Sequence, residues 1–560
     1  MNAFIIENEK QILQINLDIK DTVLCHNIST HYKIDHKKKK YFFNNKKPSD
    51  KKFINDLLNN WFRSAKGVSA YNYEGYSLAL ILNRGCFFST LNDFKNYFAL
   101  KLWSIKFNKI YLSRHSCQSI LRVKKFFKNV YFLPPDKDKL IESALIPSTP
   151  DRTHYFQQKN NFIKKIFFYL DIFLFLKWKK NKIFTLKDTK HDDAFNKIKN
   201  IITLSNKNFF KGIYLYKKNT KNFFPKKISL LKHISIHDIL KKNFPKDQKN
   251  LKAIFIKNIN IQLNDNVENI NATVTSLEKS FKIYKPRSII LNSSVDWFSI
   301  ILIYLSKKFN ITSYYLLEGY MFFKDRKDIP KNDNKVSLID NFFSYGNSFK
   351  KILHLHKIKK NNIYNIETLF LPNPKKKFKK SYDACLLSYS PNPFNLNATW
   401  DRQIITELQV LKVFDDLGFK NILIKLKNST PSKKKTEIKE IKTYREIYEK
   451  IYKKKLKLDI TISDKNFNDI LSTSKLIVGG LSTAIVEANK ITDYYLYEPA
   501  INGYSEYEFN SIKAFNKNYI NTNSKSLFKS IKQKKVLKLK KDVFNKDISF
   551  SGVMDLINAK

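Results

Sequence analysis

The chain has 560 residues, of which 43% are hydrophobic, including 46 Phe and 30 Tyr, and this excludes a mostly disordered protein. Its 11 glycines exclude collagen-like and glycine-rich linker sequences. The net charge is +54, from 103 Lys and Arg against 49 Asp and Glu. A polyanionic partner would explain this charge. An A/T-rich coding bias, which enriches Lys, Asn, Ile, Phe and Tyr together, explains most of it.

The four cysteines, Cys25, Cys86, Cys117 and Cys385, form no CxxC pair and no disulfide framework, a pattern typical of a reducing cytoplasm. The first residues, MNAFIIENEKQ, have no basic segment followed by a long apolar core, and no apolar run reaches the ~18 residues of a spanning helix. We therefore expect a cytoplasmic protein, which its lysine runs could hold at the inner face of the cell membrane. The aromatic stretch 166–176 fits either an interfacial helix or a buried core helix.

Short apolar strands alternate with helices along much of the chain, which predicts parallel sheets. Residues 136–280 are less regular, and we expect a basic insertion there. In the first 370 residues the predicted strands are 22–25, 110–113, 130–133, 288–291, 313–317 and 341–345, and the predicted helices are 116–127 and 295–307.

The second half of the chain has the clearest α/β pattern. Strands are predicted at 384–388, 421–426, 459–462, 475–478 and 494–497, and helices at 398–417, 429–457, 464–471 and 483–489. Gly418 is predicted as the residue that ends the helix before it. We expect an N-terminal domain 1–370 with the insertion at about 136–280, a basic linker 371–381, a nucleotide-binding domain 382–515 and a basic helical tail 516–560.

Residues 476–499, LIVGGLSTAIVEANKITDYYLYEP, are the most informative segment. Gly479 and Gly480 follow a buried strand and allow close backbone approach and positive φ. Ser482 and Thr483 then stand at the start of a helix, where free N–H groups favour an anion such as a nucleotide phosphate. Glu487, one turn later, could accept hydrogen bonds from ribose hydroxyls. The alternative is an ordinary tight turn with Ser482 as the helix cap.

This segment resembles the donor-binding region of GT-B glycosyltransferases of bacterial surface-polysaccharide synthesis, which include CDP-glycerol glycerophosphotransferases, polysialyltransferases and capsule-synthesis enzymes. Their second domain often carries a strand, a G-x-x-S-[ST] turn, a helix bearing EA and a strand ending near YxP. The corresponding letters here are GGLST at 479–483, EA at 487–488 and YEP at 497–499. The resemblance covers about residues 285–510 and implies two Rossmann-like domains facing a cleft.

Two departures from these families bear on the chemistry. Their strand ending K-x-HP is matched by Lys425 with LKN after it, and their HG, whose histidine acts as base, is matched by Glu318 with Gly after it. The resemblance makes Glu318 the candidate base, because a carboxylate can take a proton from an acceptor hydroxyl. Lys425 or Arg402 would neutralise the leaving nucleotide.

No metal or cofactor is expected. His233 and His237 have HxxxH spacing without a third ligand, and no DxD stands at a strand end. Asp415 and Asp416 are predicted to be exposed on a helix.

The predicted function is metal-independent transfer of a sugar from a nucleotide-sugar donor to a surface polysaccharide or lipid-linked glycan. Three alternatives stay open: a nucleic-acid-binding basic protein, a nucleotide-sugar epimerase of the same fold, and an inactive relative. The nucleic-acid alternative lacks an RNP-type motif, a zinc knuckle and basic heptads.

Overall fold

The computed structural model describes only part of the chain. The described residues are 2–7, 20–25, 39–43, 72–73, 76–138, 183–186, 201–204, 246–284, 286–291, 297–316, 338–347, 362–366, 380–388, 400–426, 434–463, 467–482, 484–489, 491–499, 515–543 and 548–559, with single positions 11, 15, 31 and 350. The chain divides into two compact units, one of 1–49, 91–149 and 370–539, the other of 50–90, 150–369 and 540–560. Each unit draws on distant parts of the sequence, and the predicted domain boundaries stay predictions.

The first unit contains a five-stranded parallel sheet near the N-terminus. The elements of this part of the chain are β1 (Asn2–Ile6), β2 (Thr22–Cys25), β3 (Lys39–Phe42), the ribbon strands β4 (Asn72–Tyr73) and β5 (Tyr76–Ser77), α1 (Leu78–Lys106), β6 (Lys109–Leu112), α2 (Gln118–Lys124) and β7 (Val130–Phe132). Of these, β4, β5 and α1 up to Thr90 belong to the second unit. The sheet has the order β3-β2-β1-β6-β7. The predictions for β2, β6, α2 and β7 are confirmed, whereas the central strand β1 was not predicted.

The second unit contains a six-stranded parallel sheet. Its elements are β8 (Ile183–Leu186), β9 (Ile201–Leu204), α3 (Gln248–Tyr284), β10 (Ser288–Leu291), α4 (Trp297–Lys308), β11 (Thr312–Leu316), β12 (Asn341–Ser344) and β13 (Ile363–Asn365). The order is β13-β12-β11-β10-β8-β9. Strands β8 and β9 and most of α3 lie in the stretch predicted as irregular, so part of that stretch belongs to the sheet and part to a helix that packs against α4.

A second six-stranded parallel sheet completes the first unit. Its elements are β14 (Ala384–Leu387), α5 (Trp400–Asp416), β15 (Asn421–Lys425), α6 (Lys434–Tyr452), β16 (Asp459–Ser463), α7 (Phe467–Thr473), β17 (Leu476–Gly479), α8 (Ala484–Ala488), β18 (Asp493–Tyr497), β19 (Ile520–Asn521) and α9 (Ser524–Lys532). The order is β16-β15-β14-β17-β18-β19. A last helix, α10 (Phe550–Ala559), lies in the second unit. Strand β19 and helix α9 fall in the stretch predicted as a tail.

One face of this C-terminal sheet is covered by α5, α6 and α9, whose apolar side chains form one core with the strands. Leu411, Ile447 and Leu527, one from each helix, are all fully buried in it. The end of α5 explains why its boundary is readable from sequence. Gly418 has φ +73°, its N–H bonds Asp415 O, and the next N–H bonds Phe414 O, which together form a Schellman motif.

The predicted α/β class with Rossmann-like parallel sheets is confirmed. The described residues hold three such sheets, one more than the two predicted domains. Among them, no helix combines the length and the apolar character needed to cross a bilayer. The stretch 166–176 lies outside the described residues, so its two interpretations stay open.

Candidate functional site

The strand order of the C-terminal sheet creates a crevice at one place. Numbered within the sheet, its strands run 3-2-1-4-5-6, so the chain first proceeds outward from β14 to β16 and then returns to β17 on the other side of β14. Ligands of open parallel sheets bind at the carboxyl ends of the two strands where the order reverses. Here those ends are Leu387 and Gly479, and the residues that follow them form the candidate site.

Gly479 is needed for packing. A Cβ at this position would lie 2.6 Å from the Tyr494 hydroxyl oxygen and 3.1 Å from Leu387 Cβ, so side chains of the neighbouring strands β18 and β14 fill the space beside it. Neither Gly479 nor Gly480 has positive φ, so that part of the prediction is wrong. The close approach that the glycine permits is made by the protein's own side chains.

The turn after β17 is held by two buried side chains. The Tyr494 hydroxyl donates to Gly480 O at 2.8 Å, and burial, with nearby Glu498, raises the pKa of Tyr494. The Glu498 side chain is 6% exposed and accepts the Leu481 N–H at 2.6 Å. One N–H that was predicted to be free for a phosphate is therefore occupied by this carboxylate. Ser482 is exposed.

Lys425 ends strand β15, beside β14. It is only 6% exposed, and its Nζ donates to Leu426 O at 2.7 Å. Its backbone oxygen accepts the Ser388 N–H at 2.9 Å, which ties the ends of β15 and β14 together. Two strand spacings, about 10 Å, separate the axes of β15 and β17, so the two ends could share an extended ligand but not a single phosphate. Cys385 lies on the neighbouring strand β14, and its burial raises the pKa of its thiol to about 12.

A buried glutamate that was not predicted completes this edge. Glu407, on α5, is fully buried and accepts the Ser388 hydroxyl at 2.7 Å with one oxygen and the Tyr444 hydroxyl with the other. Glu407 is a single polar residue among the apolar residues of the inner face of an amphipathic helix. Nothing in the sequence distinguishes it from the exposed glutamates. Glu498 belongs to the YEP match at 497–499, but it was not predicted as a site residue either.

Several predicted site residues are not located by the structure. Glu318 and Thr483 lie outside the described residues, and Arg402 lies on α5 but its side chain is not described. Glu487 is half-buried on α8, a helix of five residues. The structure therefore places Gly479, Gly480, Ser482 and Lys425 at one edge of the sheet and leaves the base unplaced.

Two further sequence predictions concern acidic residues and metals. Asp415 is 8% exposed, with Lys454 Nζ at 2.7 Å and the Tyr448 hydroxyl at 3.0 Å, so its predicted exposure is wrong. In the part of the chain that the structure describes, no group of three or more His, Cys, Asp and Glu is arranged to hold a metal ion.

Buried charge is concentrated at this edge. By the exposure of the whole residue, five Asp, Glu and Lys residues are buried among the described residues, and Glu407, Lys425 and Glu498 are three of them. Buried charges are costly unless they are hydrogen-bonded, so they are typical of sites with a function. An ammonium group can bind phosphate oxygens and carboxylates can bind hydroxyl groups. The edge therefore has the groups needed to bind a ligand that carries both phosphate and hydroxyl groups.

No protein-family model matches the chain, and no curated protein matches it. Among solved structures, the UDP-GlcNAc 2-epimerase of Neisseria meningitidis bound to UDP-GlcNAc is 10% identical and covers 68% of this chain and 98% of its own, with a TM-score of 0.37. The corresponding enzyme of Methanocaldococcus jannaschii is 13% identical over 68% of this chain and 100% of its own, with a TM-score of 0.39. A glycosyltransferase of Rickettsia africae is 11% identical over 68% and 93%, with a TM-score of 0.32. At such values, functional inference rests on this chain's own residues.

Proposed function

We propose that this chain is a nucleotide-sugar-using enzyme, and more specifically a metal-independent glycosyltransferase that acts on a surface polysaccharide or lipid-linked glycan. The observation that carries the proposal is the order reversal between β14 and β17, with Lys425 and the 479–482 turn at the carboxyl edge on either side of it. The resemblance of the segment 476–499 to donor-binding regions supports the same assignment.

The donor would lie along this edge. Because Glu498 already accepts the Leu481 N–H, the phosphates would bind towards Lys425 and Ser482, and the ribose and sugar hydroxyls would be held by the carboxylates of Glu498 and Glu487. The Lys425 ammonium would then stabilise the charge that develops on the leaving nucleotide, the role that a metal ion has in other transferases. Arg402 is a second candidate for this role.

In the transfer step, the acceptor hydroxyl oxygen would form a bond to the anomeric carbon of the sugar. The bond from that carbon to the phosphate oxygen breaks, and the nucleotide leaves with the electron pair. The acceptor proton would pass to Glu318, the candidate base from the resemblance. In a Glu318→Gln variant, kcat should fall much more than donor affinity, and an equal loss of both would remove Glu318 from this role.

Donor binding can be tested by thermal shift with UDP, CDP, CMP and GDP. A nucleotide present at about 100 times its Kd should stabilise the protein by ~2.7 kcal/mol. Lys425→Met should lose this stabilisation. The matched control is Lys475→Met, because Lys475 is 62% exposed at the start of β17, at the opposite edge of the same sheet. The proposal fails if no nucleotide stabilises the wild type, or if the two variants respond alike.

Turnover distinguishes transfer from epimerisation, which uses the same kind of donor. The nucleotide sugar that stabilises the protein most would be incubated with the wild type, with and without a glycan acceptor, and followed by NMR of the sugar protons. Transfer requires the acceptor and releases the free nucleotide. If the sugar changes its configuration without an acceptor, the proposed activity is epimerisation and not transfer.

A further inference from the structure

The N-terminal sheet has a second crevice of the same topological kind. Its order β3-β2-β1-β6-β7 reverses between β1 and β6, so the carboxyl ends of these two strands flank the place where ligands of such sheets bind. The residues that follow are Glu7 after β1 and the loop 113–117 after β6. Asp138, a few residues beyond β7, reaches the same loop.

This loop is not a phosphate-binding loop, because all four of its backbone N–H groups after Ser113 are bonded within the protein. Arg114 N–H bonds Asp138 Oδ2 at 2.8 Å, and Cys117 N–H bonds Glu7 Oε1 at 3.2 Å. The N–H groups of residues 115 and 116 bond the side chain and the backbone oxygen of Ser113, at 2.9 and 3.2 Å. Two carboxylates therefore hold the loop, and a phosphate would meet negative charge without a free backbone donor.

Two buried polar atoms at this loop have no partner. Ser116 is 4% exposed and its Oγ makes no hydrogen bond, and Asp138 is 8% exposed and its Oδ1 makes none. A buried polar atom left unpaired costs about 1–3 kcal/mol, and more when the group is charged. A carboxylate oxygen needs a donor, whereas a serine hydroxyl can donate or accept.

We propose that the crevice at the 113–117 loop binds a neutral, hydroxyl-rich ligand, namely a sugar, through Asp138 Oδ1 and Ser116 Oγ. A sugar supplies what both atoms lack, because one of its hydroxyls donates to the carboxylate and another exchanges a hydrogen bond with the serine. A metal ion fits less well, since no three-ligand cluster exists among the described residues. The exposed side chain of His115 lies on the same loop and is available to further hydroxyl groups. The site is at a different sheet from the one that carries the proposed nucleotide site.

The test uses the full chain and neutral sugars without nucleotide. Binding of glucose, galactose, N-acetylglucosamine and short oligomers of each would be followed by saturation-transfer NMR and by thermal shift. Asp138→Asn keeps an oxygen for Arg114 N–H but replaces the free acceptor by a donor, so we expect sugar affinity to fall by roughly tenfold or more. Asp136→Asn is the matched control, because Asp136 is exposed in the adjacent turn and should leave affinity unchanged.

Ser116→Ala separates a binding role from a structural one. If the two atoms bind sugar, this variant should be at least as stable as the wild type without sugar and should gain less stability when sugar is added. The inference is overturned if none of the sugars binds, or if Asp138→Asn and Asp136→Asn bind sugar equally. Nucleotide stabilisation should persist in all three variants, so a failure of this site and a failure of the proposed donor site are distinguishable.

Discussion

Replacing Gly479 by alanine tests whether the Gly-Gly turn is shaped by packing within the C-terminal sheet. The new methyl group would lie 2.6 Å from the Tyr494 hydroxyl oxygen and 3.1 Å from Leu387 Cβ. Overpacking of a core costs about 1–3 kcal/mol. A shift of Tyr494 would also break its hydrogen bond to Gly480 O, which adds about 1 kcal/mol. We therefore expect Gly479→Ala to lower the free energy of unfolding by about 2–4 kcal/mol.

Tyr494→Phe should partly rescue the stability that Gly479→Ala loses. Tyr494→Phe removes the atom nearest to the new methyl group, so Gly479→Ala should cost only ~1 kcal/mol in that background, and the two substitutions should couple by at least ~1 kcal/mol. Gly418→Ala is the control, because Gly418 has φ +73° and open space where Cβ would stand. Its backbone strain should cost about 1–2 kcal/mol with or without Tyr494→Phe.

Urea unfolding of the full chain, followed by circular dichroism, would measure all five proteins beside the wild type: the three single variants and the two double variants. If Gly479→Ala costs the same in both backgrounds, the Tyr494 hydroxyl is not the group that clashes with the new methyl group. If Gly479→Ala is neutral, packing does not require glycine at this position.

Two further predictions concern ion pairs of the first unit. The hydrogen bond from Lys475, with two backbone N–H groups, lowers the pKa of Asp383 from 3.8 to about 2. The carboxylate therefore stabilises the fold above about pH 4, and this stabilisation is lost as the pH falls towards 2. Asp383→Asn should lower the Tm near neutral pH, and its Tm should approach that of the wild type in acid. A difference in Tm that does not change with pH would contradict this. Asp93 is 1% exposed and bonds Arg122 twice at 2.8 Å, so Asp93→Ala should cost about 3 kcal/mol in urea unfolding. Glu446 is exposed and pairs with Lys442 Nζ at 3.9 Å, so Glu446→Ala should change stability by less than ~0.5 kcal/mol. If Asp93→Ala and Glu446→Ala cost the same, burial does not determine how much an ion pair stabilises this protein.

Local pattern was enough to find five of the six strands of the C-terminal sheet, and only β19 was missed. Buried parallel strands are short apolar runs, and the helices between them have a clear apolar face, so β14 to β18 were all predicted within a few residues. The end of α5 was predicted from Gly418 because a left-handed cap favours glycine whatever surrounds it. The first strand is also a short apolar run and was missed, and only its pairing with β2 and β6 shows that it is the central strand of its sheet.

The candidate site was predictable only in part. The turn after β17 was visible in the sequence because a glycine pair after an apolar strand is rare in this chain. Glu407, Glu498 and Asp138 were not predicted as site residues, since burial makes an acidic residue informative and burial depends on what packs over it. Sequence also could not show that Glu498 accepts the Leu481 N–H, a contact between residues 17 positions apart.

By itself, the sequence determined the α/β class, most strands and helices of the second half, and the location of the turn at 479–482, because these follow from local periodicity and backbone preference. The tertiary structure alone decided the number of sheets, their strand order and thus the place in each sheet where that order reverses. It also decided which polar groups are buried at those places and whether they have partners. Strand order and burial arise from contacts between residues that are distant in sequence, and local patterns do not predict which of these residues are in contact.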